Sequence, residues 1–301
     1  MRASIIIVNW NTRELVSQCL ASIYAHPPAS TFEVVVVDNA SSDGSVAMIR
    51  DTFPQVTLLV NDDNAGFAGA NNRGIRHSRG ATVLLLNSDT EVRAGALETL
   101  LQFMEANPQA GGAGARLLNP DGSLQHSCSP MPTLLREGMH LFHLDIQERR
   151  AMRAWDVAAP RPVDVLLGAC LLIRREAIEQ IGLMDEGYFM YSEEVDYCRR
   201  LQDAGWILYW VPQAEVVHYG GQSTRQAATE MFLRLYAAKL RYFRKHDGRR
   251  AGQMYKLILV AAALFRLLLL PLALLAPKPK REEQVSLAQR YWKLVKALPA
   301  Y

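Results

Sequence analysis

The chain has 301 residues, of which 50% are hydrophobic and 21% are charged. This composition excludes a wholly disordered protein and is enough for one large domain or two small ones. The net charge of +3 is unevenly distributed, because residues 241–301 hold 13 Lys/Arg against 3 Asp/Glu. A basic tail on a mildly acidic body predicts an anionic surface as a partner.

The first ninety residues alternate between short apolar runs and helical segments. The apolar runs lie at 4–10, 32–39, 56–62 and 82–89. Continuous Val/Ile/Leu strands that alternate with helices predict an α/β fold with a parallel sheet covered on both faces. Each run ends in polar residues, and such sheets bind ligands at the carboxyl ends of their strands. We therefore expect a ligand site that includes Asn9, Asn11, Asp38, Asn64, Asn87, Ser88 and Asp89.

The middle of the chain is less regular and then becomes ordered again. Residues 119–162 lose periodicity and predict a long loop with short helical pieces. A strand and a helix are predicted within 163–182, a helix over 192–205, extended chain over 206–221 and a basic helix over 224–245. The four cysteines lack CxxC spacing, which predicts buried thiols in a reducing compartment rather than disulfides or a zinc site.

Residues 257–276 are a mostly apolar run of membrane-spanning length. Arg266 lies in the middle of this run, where a charge costs about 2.5–3.5 kcal/mol on insertion scales, and Pro271 interrupts it. The run suits a spanning helix, a helix lying in the membrane interface, or an apolar helix packed on protein. We therefore predict an α/β domain over 1–245 and a membrane-associating helical tail over 246–301.

Two aspartates at strand ends are the first candidates for chemistry. Asp89 could hold Mg²⁺ or Mn²⁺, hard cations that prefer oxygen ligands, or it could cap the following helix. Asp38 could accept hydrogen bonds from a nucleobase or ribose, or it could form an Asx-turn. The segment 61–74 is rich in Asn and Gly and would allow a ligand to approach the backbone, although it lacks the GxGxxG order.

Later acidic residues and a histidine are the next candidates. Glu193, Glu194 and Asp196 crowd one helix start, where the helix dipole favours anions and where a general base could also be held. His218 ends a predicted strand beside two glycines, as a ligand of the site or as a structural residue.

The chain resembles the family 2 glycosyltransferases, and most closely their bacterial rhamnosyltransferase-like branch, in a set of motifs. The motifs are SIIIVNWN, VVVVDNASSDGS, NAGFAGANNRGI, LLLNSDTEV, GACLLIRREAI, GYFMYSEEVDYCRRLQDAGW and HYGGQS, in order from about residue 3 to 225. No single motif is specific, but the set is. The resemblance implies a GT-A fold with a mostly parallel central sheet flanked by helices, a nucleotide-sugar donor, a divalent metal ion and inversion at the anomeric carbon.

The resemblance also implies roles for individual residues. Asn87-Ser88-Asp89 takes the place of the DxD motif, so Asp89 is the expected metal ligand, and His218 matches a late metal or diphosphate ligand. Glu194 matches the catalytic base; the branch usually has Glu-Asp here, which leaves Glu193 and Asp196 as alternatives. The expected nucleotide-sugar site comprises Asn9, Asn11, Asp38, Asn64, Gly66, Phe67, Asn71, Asn72, Asn87 and Ser88.

The function expected from this resemblance is sugar transfer in bacterial cell-surface polysaccharide synthesis. The first choice of donor is dTDP-rhamnose, with a hexose or galactofuranose donor as the alternative, and the acceptor would be a glycan or a polyprenyl-diphosphate-linked saccharide. The enzyme would then work at the cytoplasmic face of the bacterial inner membrane, peripherally or anchored by its tail. No nucleic-acid partner is expected, and homo-oligomerisation is left open.

Two other functions are weighed against this one. A nucleotide-sugar pyrophosphorylase would need a Gly-rich basic loop after the first strand, which VNWNTREL does not offer. A catalytically silent sugar-nucleotide-binding or scaffold protein would share the motifs and would differ only in activity.

Overall fold

A nine-stranded sheet is the centre of the first of two units into which the chain divides. The computed structural model describes residues 2–145, 158–221, 228–273 and 277–300. The first unit comprises Met1–Met131, Trp155–Phe189 and Glu193–Gln226, and the second comprises Pro132–Ala154, Met190–Ser192 and Ala227–Tyr301. The predicted division at residue 245 into a catalytic domain and a tail stays a prediction.

The elements are numbered along the described chain. The strands are β1 (Ala3–Asn9), β2 (Phe32–Asp38), β3 (Thr57–Val60), β4 (Thr82–Asn87), β5 (Thr90–Val92), β6 (Ala110–Leu118), β7 (Cys128–Ser129), β8 (Arg161–Val163), β9 (Val165–Leu166), β10 (Cys170–Arg174) and β11 (Ile207–His218). The helices are α1 (Arg13–Ala25), α2 (Ser45–Thr52), α3 (Gly66–His77), α4 (Ala96–Ala106), α5 (Leu134–Leu141), α6 (Arg175–Ile181), α7 (Glu193–Asp203), α8 (Ala228–His246), α9 (Gly248–Ala273) and α10 (Lys278–Ala297), and a short 3₁₀ helix (Leu298–Ala300) follows them.

The four strands predicted in the first ninety residues form one parallel half of the sheet, in the order β3-β2-β1-β4. Their register sets Asn9 beside Asp38 and Val8 beside Asn87, so the polar residues at three strand ends meet at one edge. Successive side chains of β1 lie on opposite faces of the sheet. Ile5 and Ile7 pack with α1 and α4, whereas Ile6 packs with α3 and α7. Burial on both faces explains why β1, β2 and β4 are continuously apolar, whereas β3 is the partly exposed strand at the edge. The predicted parallel sheet is confirmed.

The second half of the sheet contains the antiparallel pairs. Strand β10 lies between β4 and β6 and runs antiparallel to both, while β11 is parallel to β6 and antiparallel to β5 and β8. Strands β7 and β9 pair separately as a small second sheet. The insertion of β10 beside β4 brings the residues that precede β10 to the edge where β4 ends.

The predicted loop over 119–162 contains β7, α5 and the start of β8, while residues 146–157 lie outside the described part of the chain. The four cysteines are free and buried, as predicted. Burial raises the pKa of each thiol to about 12, so the thiols are poor nucleophiles at neutral pH.

The second unit is helical and contains the apolar run of the tail. Helix α9 packs against α5, α8 and α10 and buries Tyr255, Leu259 and Ala262. Among the described residues, this is the one helix long and apolar enough to cross a membrane, and only 22% of its apolar window is buried. The predicted basic helix is α8 from residue 228 onward, while residues 224–227 of that prediction and residues 274–276 of the predicted apolar run lie outside the described part of the chain.

The charge inside the apolar run is accommodated by bonds within the second unit. Arg266 donates hydrogen bonds to the carbonyl oxygens of Leu141 (2.7 Å) and Ala262 (3.2 Å), and its guanidinium lies 4.4 Å from the centre of the Tyr291 ring. The Leu141 carbonyl is at the end of α5, where unpaired carbonyl groups favour a cation. Arg266 therefore joins three helices of this unit rather than standing alone in an apolar segment.

Candidate active site

The ends of β1 and β2 are joined by a buried hydrogen-bonded group. Asp38 is 0% exposed. One carboxylate oxygen of Asp38 accepts from the amide of Asn9 (2.8 Å), and the other accepts from the backbone N–H of Ser41 (2.8 Å). The carboxylate therefore holds the two strand ends in register and orders the loop after β2, and this loop in turn contacts Asn11, which has a φ of +51°.

A further link connects this group to the Asn-Ser-Asp motif. The hydroxyl of Thr12 donates to the side-chain oxygen of Asn9 (2.7 Å) and lies 2.9 Å from the hydroxyl of Ser88. Because Thr12 Oγ1 gives its proton to Asn9, Ser88 must be the donor in the second bond. The end of β2 is therefore connected through β1 to the residue after β4. Thr12 was not among the predicted site residues, although it lies within the quoted segment VNWNTREL.

The start of α3 holds the next group of predicted site residues. The side-chain oxygen of Asn64 accepts a hydrogen bond from the N–H of Gly66 (3.0 Å). Gly66 has a φ of +73°, and a Cβ at this position would lie 2.3 Å from the carbonyl oxygen of Phe189. That same oxygen accepts from the N–H of Phe67 (2.9 Å). Only glycine fits at position 66, because the backbone of Phe189 lies directly against the start of α3.

Two amides of α3 are buried and hydrogen-bonded within the protein. Asn71 donates to the carbonyl oxygen of Phe67 (2.9 Å). Asn72 donates to the carbonyl of Met184 (2.9 Å) and to the carboxylate of Glu186 (2.8 Å), and it accepts from the N–H of Met184 (2.9 Å). Both N–H donors of Asn72 are thus used in fastening the 184–186 segment to α3. Its place in a nucleotide pocket stays a prediction.

The structure brings the two predicted metal ligands together. Asp89 follows β4 and His218 ends β11, and the carboxylate Oδ1 lies 3.3 Å from the imidazole Nε2. The amide of Asn87 also lies 3.3 Å from this nitrogen. The backbone supports the pair, because β11 is hydrogen-bonded to β5 through His218 and Thr90, and the N–H of Tyr219 donates to the carbonyl of Asp89 (2.9 Å).

The hydrogen bond at Nδ1, on the other side of the imidazole ring, selects the tautomer of neutral His218. Gln125 donates through its Nε2 to the carbonyl of His218 (3.0 Å) and to the side-chain oxygen of Asn119 (2.9 Å). Its side-chain oxygen therefore faces the ring and accepts from His218 Nδ1 (2.6 Å). In the neutral imidazole this leaves a lone pair on Nε2, to which the amide of Asn87 can donate, and the Asp89 carboxylate lies 3.3 Å from the same nitrogen. Nothing in the sequence pattern singled out Gln125 for this role.

This arrangement fits a divalent cation. The imidazole Nε2 and the Asp89 carboxylate oxygen can both donate an electron pair to a cation, and they lie 3.3 Å apart. Neighbouring ligands of an octahedral cation at about 2.1 Å lie about 3.0 Å from each other, which is close to the spacing seen. Among the described residues no group of three His, Cys, Asp or Glu could hold a metal ion. Asp89 and His218 would therefore share a cation with ligands from outside the chain, such as phosphate or water.

The three predicted acids at the start of α7 have different environments. Glu193 is 4% exposed, and among the described residues its Oε2 has no hydrogen-bond partner. Burial, and next the charge of Glu194, raise the pKa of Glu193 well above its ordinary value of 4.5. Asp196 is fully buried and accepts a hydrogen bond from Arg200 (2.9 Å). Arg200 also donates to the carbonyls of Ile181 and Leu183, so the Asp196–Arg200 ion pair fastens α7 to the chain after α6.

A glycine that sequence reasoning missed connects these acids with the strand ends. A Cβ on Gly168 would lie 3.3 Å from the ring of Phe67 and 3.7 Å from the Cβ of Glu194. The next residue, Ala169, accepts a hydrogen bond from the N–H of Asn87 (3.0 Å). Glu194, Phe67 and Asn87 therefore lie around one short segment of backbone at the edge of the sheet. The quoted motif GACLLIRREAI begins with this glycine, and that was the available signal.

Comparisons with known proteins agree with this geometry. Residues 4–182 match the model of the family described as Glycosyl transferase family 2. The chain belongs to glycosyl transferase family 2. The N-acetylglucosaminyl-diphospho-decaprenol L-rhamnosyltransferase of Mycobacterium tuberculosis is 36% identical over 210 residues, which are 64% of this chain and 67% of that protein. The rhamnosyltransferase WbbL of Escherichia coli is 24% identical over 238 residues, covering 76% and 87%.

Two solved glycosyltransferases share the fold of this family 2 enzyme. The mannosyltransferase PcManGT from Pyrobaculum calidifontis, in complex with GDP-Man and Mn²⁺, is 20% identical with a TM-score of 0.56, covering 98% of this chain and 86% of that chain. GalNAc-T7 with UDP, GalNAc and Mn²⁺ is 18% identical with a TM-score of 0.55, covering 72% and 44%. The predicted family, the GT-A fold and a glycosyltransferase activity that uses a nucleotide-sugar donor are confirmed.

Proposed function

We propose that the chain transfers an L-rhamnosyl unit from dTDP-rhamnose, with inversion, to a saccharide carried on a polyprenyl diphosphate. The names of three relatives support this choice: the mycobacterial and Escherichia coli rhamnosyltransferases, and the dTDP-rhamnosyl transferase RfbF of Shigella flexneri, which is 26% identical over 195 residues. One observation supports the catalytic mechanism most directly. Asp89 and His218 lie 3.3 Å apart at the ends of their strands, and Gly168, at the same edge of the sheet, lies against Glu194.

Asp89 and His218 would hold the divalent cation, Mg²⁺ or Mn²⁺. When bound, the cation supplies positive charge that offsets the charge developing on the departing nucleoside diphosphate. The chain prepares this site in advance, because Gln125 orients the imidazole and the Tyr219 N–H fixes the Asp89 backbone. Solved neighbours of low identity hold Mn²⁺ together with a nucleotide or a nucleotide sugar, which agrees with such a site.

The nucleotide part of the donor would lie along the strand ends. Asn9, Asn11 and Asp38 are tied together by the hydrogen bonds around Ser41, so they form a rigid floor. The segment from Asn64 to Asn72, with Gly66 and Phe67, would form the adjoining wall. Preorganised backbone and amide groups of this kind orient a donor without a further loss of side-chain entropy.

Glu194 would remove the proton from the acceptor hydroxyl as this hydroxyl attacks the anomeric carbon. Burial, and next the charge of Glu194, raise the pKa of Glu193, so the two carboxylates do not readily carry charge together. Glu194 is assigned as the base because it takes the position of the catalytic base in the family resemblance and lies beside Gly168. Asp196 is less suited to act as the base, because its carboxylate is held by Arg200.

The second unit would hold the enzyme at the cytoplasmic face of the bacterial inner membrane, lying in the interface rather than spanning the bilayer. Helix α9 has one face packed on three other helices and one exposed face that carries Leu257, Leu264 and Leu268. A helix packed on protein along one side, with its apolar side exposed, would lie along the interface. Arg266 is bonded within the unit, so a solitary span would have to break these bonds.

The test is a panel of nucleotide sugars assayed for release of nucleoside diphosphate with and without Mn²⁺ or Mg²⁺. We expect dTDP-rhamnose to be consumed only with the metal ion, and Asp89→Ala to lower the rate by about 10²–10³-fold, as for loss of other charge-stabilising groups. Asp51→Ala, which removes an exposed carboxylate in α2, is the matched control and should leave the rate unchanged. Consumption that survives chelation, or that survives Asp89→Ala in folded protein, would contradict the proposal.

A further inference from the structure

The turn that follows β6 lies beside the end of β11. The N–H of Asn119 donates to the carbonyl of Ser123 (2.8 Å), which closes the turn. The chain then runs back along β6, where the N–H of Gln125 donates to the carbonyl of Leu117 (2.9 Å). Because β6 pairs with β11, this return brings the side chain of Gln125 to His218. A surface turn is thus connected to one of the two proposed metal ligands.

A continuous chain of side-chain hydrogen bonds runs from this turn to the imidazole. The Ser123 hydroxyl donates to a carboxylate oxygen of Asp121 (2.6 Å), and the Asn119 amide donates to the Ser123 hydroxyl (2.9 Å). The Gln125 amide donates to the side-chain oxygen of Asn119 (2.9 Å), and the side-chain oxygen of Gln125 lies 2.6 Å from Nδ1 of His218. We refer to Asn119, Asp121, Ser123 and Gln125 as the turn network.

The carboxylate at one end fixes the direction of every hydrogen bond in this chain. Asp121 is exposed, and the hydrogen bonds from Ser123 lower its pKa, so at neutral pH its carboxylate is ionised and can only accept. The hydroxyl of Ser123 must therefore donate to it, which leaves only lone pairs for Asn119. Asn119 then turns its NH₂ group towards Ser123 and its oxygen towards Gln125, and Gln125 repeats this arrangement towards the imidazole. The proton of the neutral ring is consequently required on Nδ1, and Nε2 keeps a lone pair.

Two contacts outside the turn network agree with this direction. The NH₂ group of Gln125 also donates to the backbone carbonyl of His218 (3.0 Å), an oxygen that can only accept, so the Gln125 amide is oriented from two sides. On the opposite edge of the imidazole, the amide of Asn87 lies 3.3 Å from Nε2 and can donate there only if this nitrogen has no proton. The groups on both edges of the ring therefore select the same tautomer.

We propose that the turn network positions His218 for the divalent cation, by holding the neutral imidazole with its proton on Nδ1 and the Nε2 lone pair available. The opposite tautomer would carry its proton on Nε2, beside the Asp89 carboxylate, where the proton would take the place of the cation. Proteins commonly orient a metal-ligating histidine through a hydrogen bond at its second nitrogen. Here that partner, Gln125, is itself oriented by a surface carboxylate three hydrogen bonds away. The inference rests on the proposed function only in taking Asp89 and His218 as the metal ligands.

The first measurement is the tautomer of His218 in the metal-free full chain, read from the ¹⁵N chemical shifts of the ring nitrogens. The spectra are recorded at about pH 8, above the ordinary histidine pKa of about 6.5, and the His218 signals are identified by their loss in His218→Asn. Gln125→Leu removes the acceptor at Nδ1, and Ser123→Ala interrupts the turn network without touching the imidazole. Gln125→Glu and Ser123→Thr are the matched variants, because a carboxylate still accepts from Nδ1 and threonine keeps the hydroxyl.

We expect the wild-type chain, Gln125→Glu and Ser123→Thr to show the ring protonated at Nδ1. Gln125→Leu and Ser123→Ala should each show the ring protonated at Nε2 as well. The change should be smaller in Ser123→Ala, because the carbonyl of His218 still orients Gln125 there. A substitution that only loosened the fold would not be reversed by its matched variant. Gln102→Leu, at an exposed position in α4, should leave the tautomer unchanged.

The second measurement is the dissociation constant of Mn²⁺ from the same proteins, obtained from the electron paramagnetic resonance signal of the free ion. We expect Gln125→Leu to weaken binding by about 10–100-fold, as for loss of other partners of metal-ligating histidines, and Ser123→Ala to weaken it by less. The matched variants should bind Mn²⁺ as the wild-type chain does. The inference is overturned if Gln125→Leu or Ser123→Ala keeps either the tautomer or the Mn²⁺ affinity of the wild-type chain. If Gln125→Leu does not fold, the two variants at Ser123, an exposed position, decide alone.

Failure of this inference is separable from failure of the proposed function. Mn²⁺ binding by the wild-type chain and its loss in Asp89→Ala test the proposed metal site, whereas the tautomer is measured without metal ion or donor. A chain that binds Mn²⁺ through Asp89 while the turn-network variants keep the wild-type tautomer refutes the positioning role alone. A wild-type chain that binds no Mn²⁺ refutes the metal site of the proposed function, whatever the tautomer.

Discussion

The two neighbouring glutamates at the start of α7, Glu193 and Glu194, have different surroundings. Glu193 is buried, and its pKa is raised by that burial and by the nearby charge of Glu194. Two carboxylates so close together are disfavoured from carrying charge at the same time. Gly168 lies close to both Glu194 and Phe67: a Cβ on Gly168 would be 3.7 Å from the Cβ of Glu194 and 3.3 Å from the ring of Phe67.

Exchange of each glutamate for glutamine should separate their roles. We expect Glu194→Gln to lower kcat by about 10²–10⁴-fold, as for loss of a general base, and Glu193→Gln to lower it by less than about tenfold. The two variants are matched controls for each other, and steady-state kinetics of rhamnosyl transfer provide the measurement. A larger loss in Glu193→Gln than in Glu194→Gln would reverse the assignment.

The same pair predicts a dependence of stability on pH. Glu193 holds its proton in the folded chain at pH values where the unfolded chain has lost it, since its pKa is raised from 4.5. The folded state then binds more protons, so the free energy of unfolding falls as pH rises above about 4.5 through the folded-state pKa.

The wild-type chain should therefore lose stability relative to Glu193→Gln, by at most about 1.4 kcal/mol per pH unit within that window. Denaturant unfolding of both proteins at several pH values measures the difference. A difference that stays constant with pH would show that Glu193 titrates normally.

At the scale of elements, α3 depends on one backbone conformation at its first residue. Gly66 combines a φ of +73° with a close approach to the Phe189 carbonyl, which itself accepts the Phe67 N–H. The helix start, the predicted nucleotide wall and the chain before α7 are thus fastened at one point. Ion pairing between Asp196 and Arg200 fastens α7 in a similar way, because Arg200 also donates to the carbonyl of Ile181, at the end of α6, and to that of Leu183.

Replacement of Gly66 by alanine should lower the free energy of unfolding by about 1–3 kcal/mol, because the new Cβ adds strain and collides with Phe189. Gly69→Ala makes the same change within the same helix at an ordinary φ, and it should alter stability by less than about 1 kcal/mol. Denaturant unfolding of both variants gives the comparison. Equal effects would show that the left-handed conformation at Gly66 is not required.

At the scale of the whole molecule, the helical unit combines a bonded polar interior with an apolar exterior. Glu137 binds Lys239 and Tyr255, and Arg266 binds the end of α5, so charged groups are paired inside this unit. The exposed side of α9 is instead apolar over several turns. Exposed apolar patches of this kind commonly mark interaction surfaces, which supports the membrane contact proposed above.

The double variant Leu257→Glu/Leu268→Glu should lower partition into anionic vesicles by at least about tenfold, since each buried leucine contributes roughly 1.5–3 kcal/mol. Leu124→Glu changes a leucine that is 40% exposed in the first unit and should leave partition unchanged. Vesicle co-sedimentation measures both. If the double variant partitioned like the wild-type chain, α9 would not be the membrane contact.

The sequence alone determined the parallel half of the sheet and the polar residues that lie at its edge. Continuous β-branched and leucine runs can be buried only as central strands, and the polar residues after them must then lie at the carboxyl ends. Asp89, Asp38 and Asn9 were placed correctly at the sheet edge for this reason, which is local in the chain. The order of the motifs also predicted the family.

Only the tertiary structure decided the relations between distant segments. The antiparallel entry of β10 cannot be seen from its sequence, because an apolar strand buried on both faces looks the same in either direction. The roles of Gln125 behind His218 and of Gly168 beside Glu194 depend on contacts that local pattern does not encode. Likewise, the sequence presents Arg266 as an isolated charge in an apolar run, whereas in the fold it donates to the carbonyl of Leu141. The partner of such a charge depends on which helices pack around it, and sequence pattern does not give that packing.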